Sequence, residues 1–175
     1  LAPNFLIDGE VFCVPMVIEE SSVIAAAASA AKYWMDRGGF KTTILGTTKV
    51  GQVHFKWYGE NQTIKHNYYK IESFLINNAS PIIQNMEKRG GGITRTELLD
   101  FTAQEPGLYQ IRVHFETCDS MGANFINSVL ENFADSLERF FVDSPDIPDE
   151  NRDLDIIMSI LSNYTPECVV RAEVF

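Results

Sequence analysis

Apolar and polar residues alternate one for one from Leu108 to Glu116. Tyr109, Ile111, Val113 and Phe115 take one side, and Gln110, Arg112 and His114 the other. A period of two predicts a strand in a sheet with one covered face. Ile93 to Thr102 reads as its partner strand across the tight turn Glu105-Pro106-Gly107. Downstream the period lengthens. Met121, Phe125, Val129, Phe133, Leu137 and Phe140 recur at helical spacing, so the pattern predicts a long helix from Asp119 to about Phe141 with this stripe buried. Upstream, Ile71, Phe74, Leu75, Ile82, Ile83 and Met86 predict a helix over 68–88, which Pro81 should kink or divide and Gly90-Gly91-Gly92 should end.

The remaining segments follow from turn and cap signals. Asp8-Gly9 separates two apolar runs, so Phe5 to Ile7 and Val11 to Met16 read as paired strands. Val23 to about Met35 reads as a helix with Ser21 or Ser22 as its N-cap and Gly38-Gly39 as its stop. Its alanines, Ala25 to Ala28, Ala30 and Ala31, suit both high helix propensity and close packing of a buried helix. Thr42 to Tyr58 reads as one extended strand and Asn61 to Asn67 as a loop. Asp143 to Glu150 is an acidic, proline-containing connector; Leu154 to Leu161 reads as a short helix and Cys168 to Val174 as a last strand.

From Thr42 on, this order is that of the ferredoxin-like β-α-β-β-α-β plan. The fold class expected is therefore α+β: a small ferredoxin-like domain inserted in a larger α/β domain that is only partly present. Residues 1–41 form the entry segment of the larger domain, 42–150 the small domain, and 151–175 a closing helix and strand leading back.

Composition narrows the functions. The chain has 175 residues, 45% of them hydrophobic, enough for a sizeable core. Its formal net charge of −10 argues against a nucleic-acid partner but not against a phosphate held at a helix N-terminus. Cys13, Cys118 and Cys168 are odd in number and far apart, so no disulfide framework is implied. Neither they nor His54, His66 and His114 have metal-ligand spacing, and no metal site is expected. A reducing, cytoplasmic setting fits best. No signal peptide is evident, and the small-apolar run Val23 to Ala31 is too short to span a membrane. Leu1 is not an initiator methionine, and the opening reads as the middle of a domain, so a fragment or incomplete chain is expected.

Four places could carry chemistry. Glu19 and Glu20 precede a helix start, where carboxylates are favoured by the dipole. A general acid there needs a raised pKa, so a functional Glu20 implies a desolvated pocket. Gly90 to Gly92 follow a helix and precede a strand, the reverse of a dinucleotide fingerprint, and read as a helix stop. Asp119-Ser120-Met121-Gly122-Ala123-Asn124 follows a strand and opens a helix, as a phosphate or dinucleotide turn should. It lacks GxGxxG and the P-loop lysine, and taken alone Asp119 is equally a plain N-cap. His114 points outward on its strand and reads as a solvated or structural histidine.

Taken together, two of these segments resemble signatures of the hydroxymethylglutaryl-CoA reductase family. Asp119 to Asn124 resembles its D-x-M-G-x-N motif. Val14-Pro15-Met16-Val17-Ile18-Glu19-Glu20-Ser21-Ser22 resembles its VPM-x-x-x-E segment, in the form typical of bacterial class II members. Ala2 to Phe5 and Leu161 to Thr165 also look like stretches that flank those motifs. The resemblance implies a thioester reductase that uses two hydrides from NADH or NADPH. Glu20, rather than Glu19, would be the catalytic acid, and Asp119, Met121, Gly122 and Asn124 would bind the cofactor. It further implies hydroxymethylglutaryl-CoA, mevalonate and coenzyme A as ligands, a small ferredoxin-like cofactor domain, and a homodimer or larger assembly. The family also uses a lysine, a second acid and a histidine, and none of Lys49, Lys56, Lys70 or Lys88 lies in a matching motif. The 175 residues by themselves are therefore expected to be inactive. The competing expectation is a non-enzymatic ferredoxin-like ligand-binding or interaction module; a hydrolase is weaker, since no Ser-His-Asp set or activated cysteine stands out.

Overall fold

The computed structural model of the chain describes residues 1–17 and 20–175. It is a mixed α+β protein that divides into two compact units: Leu1–Gly46 with Cys168–Phe175, and Thr47–Glu167.

In the first unit, β1 (Ala2–Ile7) and β2 (Glu10–Val14) form the expected antiparallel hairpin across Asp8-Gly9. Helix α1 (Ser21–Met35) follows. Its N-cap position is Glu20, not Ser21 or Ser22, and among the described residues no side chain caps it. Ala31 is the helix's one buried residue among those described, so the alanine content serves helix propensity more than close packing within this unit. β3 (Lys41–Thr47) pairs with β8 (Cys168–Glu173) in a second two-stranded sheet. The Asp8 carboxylate accepts hydrogen bonds from Thr42 Oγ1 and Thr42 N–H, and these bonds hold its pKa below the ordinary aspartate value.

The second unit is built on a four-stranded antiparallel sheet in the order β5-β6-β4-β7: β4 is Lys49–Lys56, β5 Gly92–Asp100, β6 Leu108–Glu116 and β7 Asp155–Leu161. Helices α2 (Asn61–Glu87) and α3 (Ala123–Asp143) share one hydrophobic core with it. The alternation over 108–116 does what its period predicts: Tyr109, Ile111, Val113 and Phe115 are buried in that core, with Val53 and Phe55 beside them on β4. The α3 stripe supplies Val129, Phe133, Leu137 and Phe140, joined by Ile126, Leu130 and Phe141, with Phe125 partly buried against them; Met121, expected at the head of the stripe, precedes the helix and is exposed. Each such side chain contributes about 1.5–3 kcal/mol by leaving water.

Four expectations are corrected. The run Thr42 to Tyr58 is not one strand; it breaks at Thr48, because β3 pairs with β8 while β4 pairs with β6 and β7. Asn61 to Asn67 is helix rather than loop. Ile64 lies seven residues before Ile71 on the same buried stripe, and packing extends α2 by two turns. Pro81 does not divide α2, which runs unbroken because Leu75, Ala79 and Ile83 are buried on both sides of it. Leu154 to Leu161 is not a helix but β7. Ile156, Ile157 and Ile160 are β-branched, and β4 offers an edge with which Ile156 and Ile160 pair. β7, rather than Cys168–Glu173, is thus the fourth strand of this sheet.

Candidate functional site

Glu20 lies in the first unit, at the point where extended chain becomes helix (φ −138°, ψ 129°). Its carbonyl accepts a hydrogen bond from the Val23 N–H, and Ser22 Oγ donates to its carboxylate. The serine therefore orients the acid instead of capping the helix. The side chain is exposed within this unit, so the described residues of that unit do not supply the desolvated pocket expected of a general acid. Glu19 lies outside the described residues.

Asp119, Met121, Gly122 and Asn124 lie in the second unit, in the connection from β6 to α3. Asp119 does not open the helix; α3 starts at Ala123 with Gly122 in the N-cap position. The turn is locked from beneath by Thr117, which is fully buried. Thr117 Oγ1 donates to Ser120 O at 2.7 Å, and Ser120 Oγ donates back to Thr117 O at 2.8 Å. Gly122 is left-handed, at φ 74°, and a Cβ there would stand 2.4 Å from Thr117 Cγ2, so only glycine fits. Cys118 is left-handed too (φ 52°), and its N–H donates to Glu116 Oε1 at 2.8 Å. Bonds from Thr47 Oγ1 and then Cys118 N–H help hold the Glu116 carboxyl below the usual glutamate range.

This packing leaves Asp119, Ser120, Met121 and Asn124 exposed, with Met121 71% exposed. Among the described residues no side chain caps α3, and its first internal bond is Ile126 N–H to Gly122 O at 2.9 Å. The N–H groups of the first turn therefore remain available to an anion. Beside the turn is a cavity of about 430 Å³ lined by Arg89, Thr117, Cys118, Asp119 and Ser120. An exposed carboxylate, an exposed amide, free helix N–H groups and a cation are the groups that a phosphate-bearing nucleotide with ribose hydroxyls needs.

On the face of the sheet opposite the core, His114 points away from the helices as expected, yet it is 4% exposed rather than solvated. Arg95 and Glu97 on β5 cover it. Arg95 Nη2 lies 3.0 Å from His114 Nε2, which is also 3.0 Å from Glu97 Oε2. The bond to His114, then the nearby Arg95, hold the Glu97 carboxyl below its ordinary value. This cluster lines a second cavity, of about 300 Å³, with Gln52, Arg112, Ser162 and Tyr164. It was not legible in the sequence, because the β5–β6 register alone brings Arg95 and Glu97 onto the histidine. Among the described residues no group of His, Cys, Asp and Glu side chains could hold a metal ion, and no helix is long and apolar enough to cross a membrane.

Comparison with known proteins gives concordant results. The family described as hydroxymethylglutaryl-coenzyme A reductase matches residues 1–175. The 3-hydroxy-3-methylglutaryl-coenzyme A reductase of Archaeoglobus fulgidus is 31% identical over 139 residues, which cover 79% of this chain and 32% of that protein. A probable reductase of the same name from Borreliella burgdorferi is 27% identical over 135 residues, 77% of this chain and 30% of that one. Among solved structures, the class II reductase of Streptococcus pneumoniae bound to NADPH in open conformations superposes with a TM-score of 0.72 at 29% identity, covering 98% of this chain and 43% of that one. The chain thus spans about a third of the length of these curated relatives.

Proposed function

Given that the chain belongs to the hydroxymethylglutaryl-coenzyme A reductase family, we propose that it supplies the cofactor-binding turn and one catalytic acid of an enzyme that reduces hydroxymethylglutaryl-CoA to mevalonate and coenzyme A. The observation that carries this reading is the turn 119–124: an uncapped helix start, locked from beneath by Thr117 and Gly122, with Asp119 and Asn124 exposed above a cavity. The strand order β5-β6-β4-β7 with both helices packed into one core supports a ferredoxin-like cofactor unit. Where the sequence divisions are 1–41, 42–150 and 151–175, we read the cofactor domain as Thr47–Glu167, which takes in β7, with Leu1–Gly46 as entry segment and Cys168–Phe175 as return segment.

In this reading Asp119, Met121, Gly122 and Asn124 hold NADH or NADPH, which supplies hydride to the substrate carbonyl. Asp119 is suited to accept from hydroxyl groups, Asn124 to orient a polar head group, and the first turn of α3 to face a phosphate. Glu20 would give its proton to the carbonyl oxygen as each of two hydrides arrives, first on the thioester and again on the aldehyde; in between it would take the hydroxyl proton back as the C–S bond breaks and the thiolate leaves. The exposed Glu20 needs a neighbouring surface to desolvate it before that role is served. A homodimer or larger assembly and a cytoplasmic location belong to the same proposal.

The test is a titration of the chain with NADH and NADPH. Binding weakened about tenfold by Asn124→Ala or Asp119→Ala, the loss of roughly 1.4 kcal/mol, is the expected result. A chain that binds neither cofactor contradicts the reading. In an enzyme containing this segment, Glu20→Gln is expected to lower turnover at least a hundredfold, in the range of general acid catalysis, while cofactor affinity stays within about threefold. Equal loss of both would argue against the acid role.

A further inference from the structure

We propose that Glu116 is a positioning residue for the cofactor: its carboxylate holds the backbone at Cys118 and ties it to Thr47, so that the 119–124 turn is presented in one binding-competent conformation. This rests on the reading of that turn as the cofactor site. Cys118 stands between the end of β6 and Asp119 and is left-handed, with φ 52°. A residue with a Cβ seldom takes that conformation unless its surroundings hold it there. The reversal it makes sets the direction in which the chain leaves the sheet, and so where Asp119 begins. Glu116 Oε1 accepts from the Cys118 N–H at 2.8 Å, and Oε2 accepts from Thr47 Oγ1. The other bond at this residue, from Cys118 Sγ to Arg89 O at 3.2 Å, has only a weak thiol donor.

The Glu116 carboxylate acts on the backbone and not on the ligand. Both its oxygens are taken up, and it is absent from the residues that line the cavity beside the turn, where Cys118 and Asp119 are present. Charge on the acceptor makes such bonds stronger than those between neutral groups. Thr47 is the last residue of β3, where the chain leaves the β3–β8 sheet for β4, and it lies 69 residues before Glu116. One side chain thus joins this strand end to the left-handed residue that aims the turn. Apparent affinity is the intrinsic affinity scaled by the fraction of molecules in the competent conformation. Glu116 raises that fraction without touching the cofactor, so NADH and NADPH gain alike.

The experiment is calorimetric titration of NADH and NADPH into the 175-residue chain and into Glu116→Ala, Glu116→Gln, Thr47→Val and Asn124→Ala, each below its melting transition. Glu116→Ala is expected to weaken both cofactors equally, by about tenfold, as the competent fraction falls to about a tenth. Glu116→Gln should return both to within about threefold of wild type, because its amide oxygen accepts from the Cys118 N–H and its NH2 donates to Thr47 Oγ1. Thr47→Val should weaken both by about threefold, and hydrogen exchange at the Cys118 amide should quicken in Glu116→Ala while that at Val113 does not. If Glu116→Ala lowers the melting temperature but leaves both affinities within about twofold while Asn124→Ala weakens them, the positioning role is overturned and the cofactor turn stands. A loss confined to one cofactor, or one that Glu116→Gln does not relieve, overturns it as well, and unchanged affinity in Thr47→Val overturns the tie to Thr47. If the wild-type chain binds neither nucleotide, the proposal and the cofactor turn fall together.

Discussion

Two residues, Gly122 in the proposed cofactor turn and Asp100 outside it, show how the local chemistry sets stability. Gly122→Ala forces a Cβ into Thr117 at a left-handed φ, and the expected cost is about 1–3 kcal/mol, measured by urea denaturation. Asp100 accepts hydrogen bonds from Lys65, then from Thr102 and Asn61, which hold its carboxyl well below the ordinary value of 3.8. A depressed folded value means that its contribution is complete above the unfolded value and is lost as pH falls from there through the folded one. Asp100→Asn should therefore flatten the fall of melting temperature on acidification below about pH 4, and have less effect on the slope near neutrality. Glu20 and the 119–124 residues could be proposed from sequence because each motif is written in adjacent positions. The contact of the Arg89 carbonyl with Cys118 could not, because it depends on a helix end and a strand end, 29 residues apart in sequence, meeting across Gly91.

Periodicity located α3 and the β5–β6 hairpin because each buries one regular face. It failed for β7, whose seven residues carry no clean alternation and whose identity comes from the β4 edge it pairs with. α3 also anchors that strand: the Leu161 N–H donates to Asn127 Oδ1 at 2.9 Å. Asn127→Ala leaves this N–H without its partner. The expected loss is about 1–2 kcal/mol, with faster hydrogen exchange at Leu161 than elsewhere in β7. The first turns of α2 were missed for a related reason. Asn61 to Asn67 is polar in composition, and only Ile64 signals that the buried stripe continues through it.

The two units differ in how much they bury. Thr47–Glu167 holds a continuous core in which Trp57, Phe55, Phe115, Phe133 and Phe141 are all but fully buried. Among the described residues of Leu1–Gly46, the buried hydrophobic side chains are Ala2 and Ala31, while Val11, Phe12, Val23, Tyr33, Ile44 and Leu45 are exposed. Amides of β4, β6 and α3 are therefore expected to exchange most slowly, and those of β1, β2 and α1 substantially faster, in a native-state hydrogen-exchange experiment. Uniform protection across both units would contradict this. The sequence by itself determined the α+β character, the main buried faces and the two motifs, since periodicity and short-range spacing are local properties of the chain. Tertiary structure alone decided that Thr48 separates two sheets, that β7 is a strand, that His114 is enclosed by Arg95 and Glu97, and that the glycine-ended helix brings Arg89 to the turn. Each of these depends on contacts between segments distant in sequence, which no local pattern encodes.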